Sequence, residues 1–181
     1  MKIGLGGGGP TIERIIEQAA EAEAAGFATL WYPSAVLGDP LAPIAVAGRA
    51  TSSIELGTGV LQTYNAHPLL TAAAGRPEPR VVAGLPVAVH DDLDEARNDA
   101  ARQYGFYGEL PNYARILHLG GLERSADACV VGDEDSVAAQ LAALVEAGAT
   151  DVWAAIFPVG ADRKASRART RALLEKLVHE D

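Results

Sequence analysis

The sequence contains little cysteine, few aromatic residues and fewer basic than acidic residues. Its 181 residues include one cysteine, Cys129, and 15 Lys and Arg against 24 Asp and Glu, which gives a formal net charge of -9. A single cysteine excludes an internal disulfide and a cysteine-based zinc cluster. The acidic balance argues against nucleic acids and anionic membranes as partners, because both would be repelled. The expected partner is therefore a small molecule or another protein.

Long hydrophobic runs and clustered metal ligands are also missing. No segment approaches the roughly 18 apolar residues of a membrane span, and the start of the chain lacks the apolar core of a signal peptide. We therefore expect a cytoplasmic protein. The sequence predicts no metal site, because no two of the four histidines have the spacing of ligands on one helix face. The length and the 49% apolar content are typical of one globular domain, here taken as residues 1–181.

Apolar runs and helical patterns alternate along the chain. Short apolar runs predict five strands, over residues 2–6, 27–32, 54–61, 80–89 and 151–157. Apolar residues at helical spacing predict helices between them, of which the clearest are 11–26, 91–104, 135–148 and 164–179. This alternation favours parallel strands joined by right-handed crossovers.

Two helix-to-strand junctions have similar sequences. The segment Ala25–Trp31 aligns without a gap with Ala147–Trp153: each has a helix end, a glycine, a short turn and a strand that contains tryptophan. A repeated β/α unit leaves such a pattern, and chance similarity at a common junction is the alternative.

Two glycine-containing stretches and one basic cluster are the candidate motifs. Gly4–Gly9 satisfies the G-x-G-x-x-G pattern, but the second strand ends in Trp31-Tyr32-Pro33, where a dinucleotide site needs an acidic residue. A small nicotinamide-binding protein therefore stays an alternative, and a flexible loop over a pocket is the other interpretation. Glycines in the third strand indicate close approach of a ligand or another backbone, or a plain strand with a bulge. The basic cluster is typical of a solvated helix face, with a phosphate site as the alternative; it comprises Arg163, Lys164, Arg167, Arg169 and Arg171.

Several of these segments together resemble one known family. In the first part of the chain, the similar segments are the opening strand, residues 24–31, the run Ile54–Val60, and His67-Pro68. In the second part, they are residues 77–87, 107–111, 131–133 and 147–151. On these residues the chain resembles the luciferase-like monooxygenase family, in the branch of the coenzyme F-420-dependent oxidoreductases.

The resemblance implies an abbreviated TIM-barrel-like α/β fold. The family forms a (β/α)8 barrel, which needs about 250 residues, and this chain is shorter. We therefore expect about five parallel strands, corresponding to family strands 1, 2, 3, 7 and 8, with helices mainly on one face. The internal junction would lie near residues 71–76.

The resemblance also implies an activity and a site. The expected function is hydride transfer between coenzyme F-420, or FMN as the alternative, and a small organic substrate. The cofactor-side residues, placed where strands end, are Gly59, Val60, Thr63, Asn65 and His67. The expected pocket lining is Trp31, Tyr32, Ser34 and Phe157. No catalytic proton donor is assigned, because the family's usual positions are replaced here or fall in the missing part.

A non-catalytic protein is the second hypothesis. The chain would then be a self-associating remnant or engineered fragment of the barrel, without a cofactor.

Both hypotheses predict self-association, because five strands cannot close a barrel and the inner face and two edges need cover. We expect at least a homodimer in solution. Light scattering on the purified protein measures this directly, and a species with the 18.8 kDa mass of one chain would contradict it.

Overall fold

The computed structural model describes residues 2–33, 41–59 and 81–179, which form an α/β fold. Its strands are β1 (Ile3–Gly6), β2 (Thr29–Tyr32), β3 (Glu55–Thr58), β4 (Val82–Val89), β5 (Val130–Gly132) and β6 (Asp151–Ile156). They form one parallel, open sheet in the order β3-β2-β1-β6-β4-β5.

The predicted abbreviated α/β sheet is confirmed, with one strand more than expected. The order β4-β6-β1-β2-β3 is the one that the family positions 7-8-1-2-3 imply. The sixth strand, β5, pairs with β4 through Val87 and Val130, and its three residues are too few to give a clear apolar run. The predicted junction near 71–76 lies outside the described residues, and the single-domain organisation stays a prediction.

Several helices begin at a polar side chain that caps them. They are α1 (Ile12–Ala24), α2 (Leu41–Ala47), α3 (Leu93–Tyr104), α4 (Pro111–Leu119), α5 (Glu134–Glu146) and α6 (Arg163–His179), with 3-10 turns at Gly105–Glu109 and Ser125–Ala128. The side chains of Thr11, Asp92 and Asp133 accept hydrogen bonds from the first turns of α1, α3 and α5. Within the described parts of the chain, no helix is long and apolar enough to cross a lipid bilayer.

The chain divides into two compact units. The first contains Lys2–Ala83 and Gly148–Trp153, and the second contains Gly84–Ala147 and Ala154–Asp181. Strands β4 and β6 contribute residues to both.

In the first unit, α1 covers one face of β1 and β2. The buried residues of this layer are Ile3, Leu5, Ile15, Ala19, Ala22, Leu30 and Tyr32. The Tyr32 hydroxyl donates a hydrogen bond to the carbonyl of Ile15 at 3.1 Å. Because burial raises the pKa of Tyr32 to about 12, the hydroxyl stays a protonated donor at neutral pH.

The second unit has its own apolar core around the end of β4. Val87, Ala88 and Val89 are all buried in succession, so both faces of this strand are covered. Ala88 belongs to a buried cluster with Ala96, Ala100, Val131 and Phe157.

A single carboxylate ties the end of α1 to the start of β3. Glu23 accepts backbone hydrogen bonds from Ser52, Ser53 and Ile54 at 2.8, 2.5 and 3.0 Å. These donors lower the pKa of Glu23 to about 2. Because β3 pairs with β2 in a fixed register, this contact helps to position β3 in the sheet.

Replacing Glu23 with glutamine should lower the urea midpoint of unfolding at pH 7, because a neutral amide is a weaker acceptor for three backbone donors. The carboxylate's pKa is lower in the folded protein than its ordinary value of 4.5. Its stabilising effect is therefore fully present above about pH 4.5 and is lost as the pH falls towards 2.

The measurement is urea unfolding of the wild type and Glu23→Gln between pH 7 and 2. The two midpoints should converge as the pH falls. Glu17→Gln is the control, because Glu17 makes an exposed pair with Arg14 on the same helix. A pH-independent difference between wild type and Glu23→Gln would contradict the assignment.

Candidate functional site

The face of the sheet opposite α1 carries glycines and tryptophan. The register pairs Gly6 with Trp31 and Trp31 with Gly57, so these three residues share one face. Gly4 lies two residues before Gly6 and has the same orientation. Tyr32 has the opposite orientation, because successive strand residues point to opposite faces.

The Trp31 ring contacts the backbone at two of these glycines. A Cβ atom added to Gly57 would lie 2.6 Å from Cε3 and Cζ3 of Trp31. A Cβ added to Gly4 would lie 2.8 Å from Nε1 of Trp31 and 2.9 Å from the carbonyl oxygen of Thr29. The Trp31 ring therefore occupies space that any side chain at either position would need.

Trp153 of β6 makes the same kind of contact beside it. Its ring lies over Gly59, whose added Cβ would be 3.2 Å from Cη2, and over Gly6, whose added Cβ would be 3.3 Å from Nε1. The two indole centroids are 6.3 Å apart, and the rings are inclined by 38°. We call this surface the tryptophan face, defined by Trp31, Trp153, Gly4, Gly6, Gly57 and Gly59.

The tryptophan face combines an apolar surface of two inclined indole rings with one unpaired donor. Both indoles are partly exposed. The Nε1 atom of Trp153 is buried and has no hydrogen-bond partner among the described residues. A buried N–H without an acceptor is unfavourable, and the partly exposed indoles offer an apolar surface on which a planar ring could stack.

Polar residues lie next to the tryptophans towards the amino ends of the strands. Thr29 and Asp151 are buried there, and Thr29 is in register with Gly4 and Glu55. The hydroxyl of Thr150 donates to the Asp151 carboxylate at 2.7 Å. This face of the sheet is therefore apolar at the two indoles and polar at the amino ends of β2 and β6.

The structure brings together two of the predicted site residues. Gly59 and Trp31 belong to the tryptophan face. Tyr32 lies on the other face against α1, and Phe157 lies in the core of the second unit, where it meets Tyr104 edge-on at 5.5 Å. The other predicted residues lie outside the described part of the chain: Ser34, Val60, Thr63, Asn65 and His67.

Trp153, Gly4, Gly6 and Gly57 were not among the predicted site residues. The repeated junction could have indicated Trp153, because Trp31 and Trp153 occupy equivalent positions in the two copies. The glycines that end the preceding helices in both copies, Gly26 and Gly148, also share a positive φ, 81° and 105°.

The described residues contain neither a metal-binding cluster nor a reactive thiol. There, no group of three His, Cys, Asp or Glu side chains could hold a metal ion. Cys129 is buried, and burial raises the pKa of its thiol to about 11, so at neutral pH it is an unreactive core residue.

Comparison with known families gives one match. The family model for luciferase-like monooxygenase matches residues 2–75, fewer than half of the 181. The matched stretch contains Trp31 and all four glycines of the tryptophan face, and ends before Trp153. No curated protein matches the chain. The match supports the resemblance to this family, and the coenzyme F-420 branch and the missing middle of the barrel stay predictions.

Replacing Gly57 with alanine should destabilise the protein by about 1–3 kcal/mol, because the new methyl group overlaps the Trp31 ring. Urea unfolding measures the loss, and near-ultraviolet circular dichroism reports the displaced indole.

Gly105→Ala is the matched control. Gly105 has helical backbone angles and nothing within 4 Å of its added Cβ. This change should be neutral or stabilising by about 0.4–1 kcal/mol. Equal effects of the two substitutions would show that Trp31 does not pack on Gly57.

Proposed function

We propose that the chain is an oxidoreductase that binds a deazaflavin or flavin, with the cofactor ring against the tryptophan face. The observation that carries the proposal is a pair of partly exposed indoles on the face of the sheet opposite α1. The family match over residues 2–75, which include Trp31 and the four glycines, supports the same class of chemistry.

The residues present fit a planar cofactor. Stacking of an aromatic ring on an indole contributes about 0.5–1.5 kcal/mol beyond the area that it buries. The pyrimidine end of a flavin or deazaflavin carries carbonyl oxygens, and one of them could accept from the buried N–H of Trp153 if this side chain shifted to expose it. Gly6, Trp31 and Gly59 lie at or next to the carboxyl ends of β1, β2 and β3, respectively, where ligands bind in barrels of this type.

The protein's own part in the reaction is binding and exclusion of water. A bound cofactor would supply the hydride chemistry. Trp31 and Trp153 would hold one side of its ring and keep solvent from it, which leaves the other side for a small organic substrate. We propose coenzyme F-420 as the cofactor, with FMN as the alternative.

The non-catalytic hypothesis also has an observation in its favour. The space above the four glycines is already filled by the chain's own indoles, so the tryptophan face is packed without a ligand. Gly59 therefore cannot serve as a test position, because any side chain there would displace Trp153 whether or not a cofactor binds.

Intrinsic fluorescence offers a site-specific test, because Trp31 and Trp153 are the only tryptophans in the chain. Titration of the purified protein with coenzyme F-420, and separately with FMN, should quench this emission saturably in the micromolar range. The variants Trp31→Phe and Trp153→Phe each retain one reporter. Each should weaken affinity about two- to tenfold, in line with the stacking energy.

Tyr113→Phe is the aromatic control, because Tyr113 is exposed on α4 in the second unit. It should leave affinity unchanged. Binding without a change in tryptophan emission would contradict the placement of the ring. Absence of binding by both cofactors would contradict the proposed activity and favour the non-catalytic hypothesis.

A further inference from the structure

Most members of the basic cluster at the start of α6 have partners inside the protein. Arg169 donates to both oxygens of Asp91, at 2.7 and 3.1 Å, and to both oxygens of Glu134, at 2.7 Å. This bridge lowers the pKa of both carboxyls. Arg171 pairs with Glu175 at 2.7 Å. Arg169 therefore links α6 to the starts of α3 and α5, whereas Arg171 is paired within α6.

The remaining members differ in their surroundings. Arg167 donates to the carbonyl of Ile156 at 3.4 Å. Neither Arg163 nor Lys164 has a hydrogen-bond or ion-pair partner among the described residues. Of these two, Arg163 lines a surface cleft in the second unit, together with Asp99, Arg102, Gln103 and Pro158.

The charges in this cleft do not cancel. Asp99 is the acid of the cleft, and it is 8% exposed. One of its oxygens accepts a hydrogen bond from the backbone N–H of Gly160 at 2.9 Å, and the other pairs with Arg102. Asp99 therefore neutralises Arg102, whereas Arg163 makes no ion pair within the described residues.

Hydrogen-bond donors outnumber acceptors around the cleft. Arg102 uses one terminal nitrogen for Asp99, so its other N–H groups stay available, as do all five of Arg163. Gln103 adds a side-chain amide, which donates to Tyr104 at 2.9 Å. Among the neighbouring acids, Asp162 precedes Arg163 in the chain and accepts from the backbone N–H of Ala165 at 3.0 Å, and Glu95 lies beside Gly160 and pairs with His90. In a protein with a net charge of -9, the two guanidinium groups make the cleft a candidate site for an anion.

We propose that this cleft binds a phosphate group. Guanidinium groups bind phosphate through paired, charge-assisted hydrogen bonds, and two of them flank the cleft here. Free phosphate and the phosphate of a larger ester, such as FMN, present the same oxygens. The site is independent of the proposed redox function, because Arg102 and Arg163 belong to the second unit, whereas the tryptophan face belongs to the first.

Inorganic phosphate is the first probe. In an amide NMR titration of the full chain at constant ionic strength, the Gly160 signal should shift saturably as phosphate is added. Arg163→Gln should weaken this binding about tenfold, the usual effect of losing one hydrogen bond to a charged group. Circular dichroism checks that the variant is folded.

Lys164→Gln is the matched control. It removes the same charge from the next residue, which does not line the cleft. Binding should stay within about twofold of the wild type. Equal losses in Arg163→Gln and Lys164→Gln would show only general electrostatic attraction and would overturn the proposal, as would the absence of saturation.

A comparison of FMN with riboflavin distinguishes the two sources of phosphate. These molecules differ only in the phosphate group. Tighter binding of FMN that disappears in Arg163→Gln would assign the cleft to a phosphate ester. Equal binding of FMN and riboflavin, with phosphate saturating the cleft, would assign it to free phosphate. Failure of both flavins and coenzyme F-420 to bind would contradict the proposed oxidoreductase function. The titration with inorganic phosphate would still decide whether the cleft binds phosphate.

Discussion

The packing of two indole rings directly on strand backbone is the constraint on which this site depends. The rings can lie this close only because Gly4, Gly6, Gly57 and Gly59 have no side chains. The contact at Gly4 is the least adjustable, because an added Cβ would also meet the backbone carbonyl of Thr29. Apolar side chains packed against α1 on one face, and indole rings packed on glycine backbone on the other, give the first unit two chemically different surfaces.

Much of the fold could be predicted from the sequence because its signals are local. The capping residue Thr11 and the turn glycine Gly26 define α1 within a few positions, and apolar runs define five strands. The short strand β5 was not predicted, because its three residues form a strand only through pairing with β4. Strand order followed from the family resemblance, since local pattern does not say which strands become neighbours.

The candidate site was harder to predict, for two physical reasons. Adjacent residues in a strand point to opposite faces, so the side chains of Trp31 and Tyr32 lie on different sides of the sheet. Which of the two faces away from the helix layer depends on the face that α1 covers, and the sequence does not give this. Trp153 meets Gly6 and Gly59 only through the arrangement of distant strands. Sequence spacing contains no direct record of such a contact, although the repeated junction pointed to it.

The same reasoning applies to the basic cluster. The sequence places five cations close together, but the partners of Arg169 come from elsewhere: Asp91 and Glu134 lie next to or at the starts of two other helices. The folded chain shows that Arg169 is neutralised, while Arg163 has no ion-pair partner in the part of the chain that the structure describes. The electrostatic character of a basic segment is therefore a property of the fold, even where the charge itself is evident from the sequence.

The contact between indoles and glycines has a consequence for how this chain can change over evolutionary time. Trp31 shares its space with Gly4 and Gly57, and Trp153 shares its space with Gly6 and Gly59. A side chain gained at Gly57 is harmful while the Trp31 ring is present, and becomes tolerable once that ring is replaced by a small residue. At Gly4 the Thr29 carbonyl would still block a side chain, and at Gly6 and Gly59 the contacts with Trp153, at 3.3 and 3.2 Å, are less tight. Substitutions at Trp31 and Gly57 are therefore expected to show sign epistasis, and their order decides which route is open.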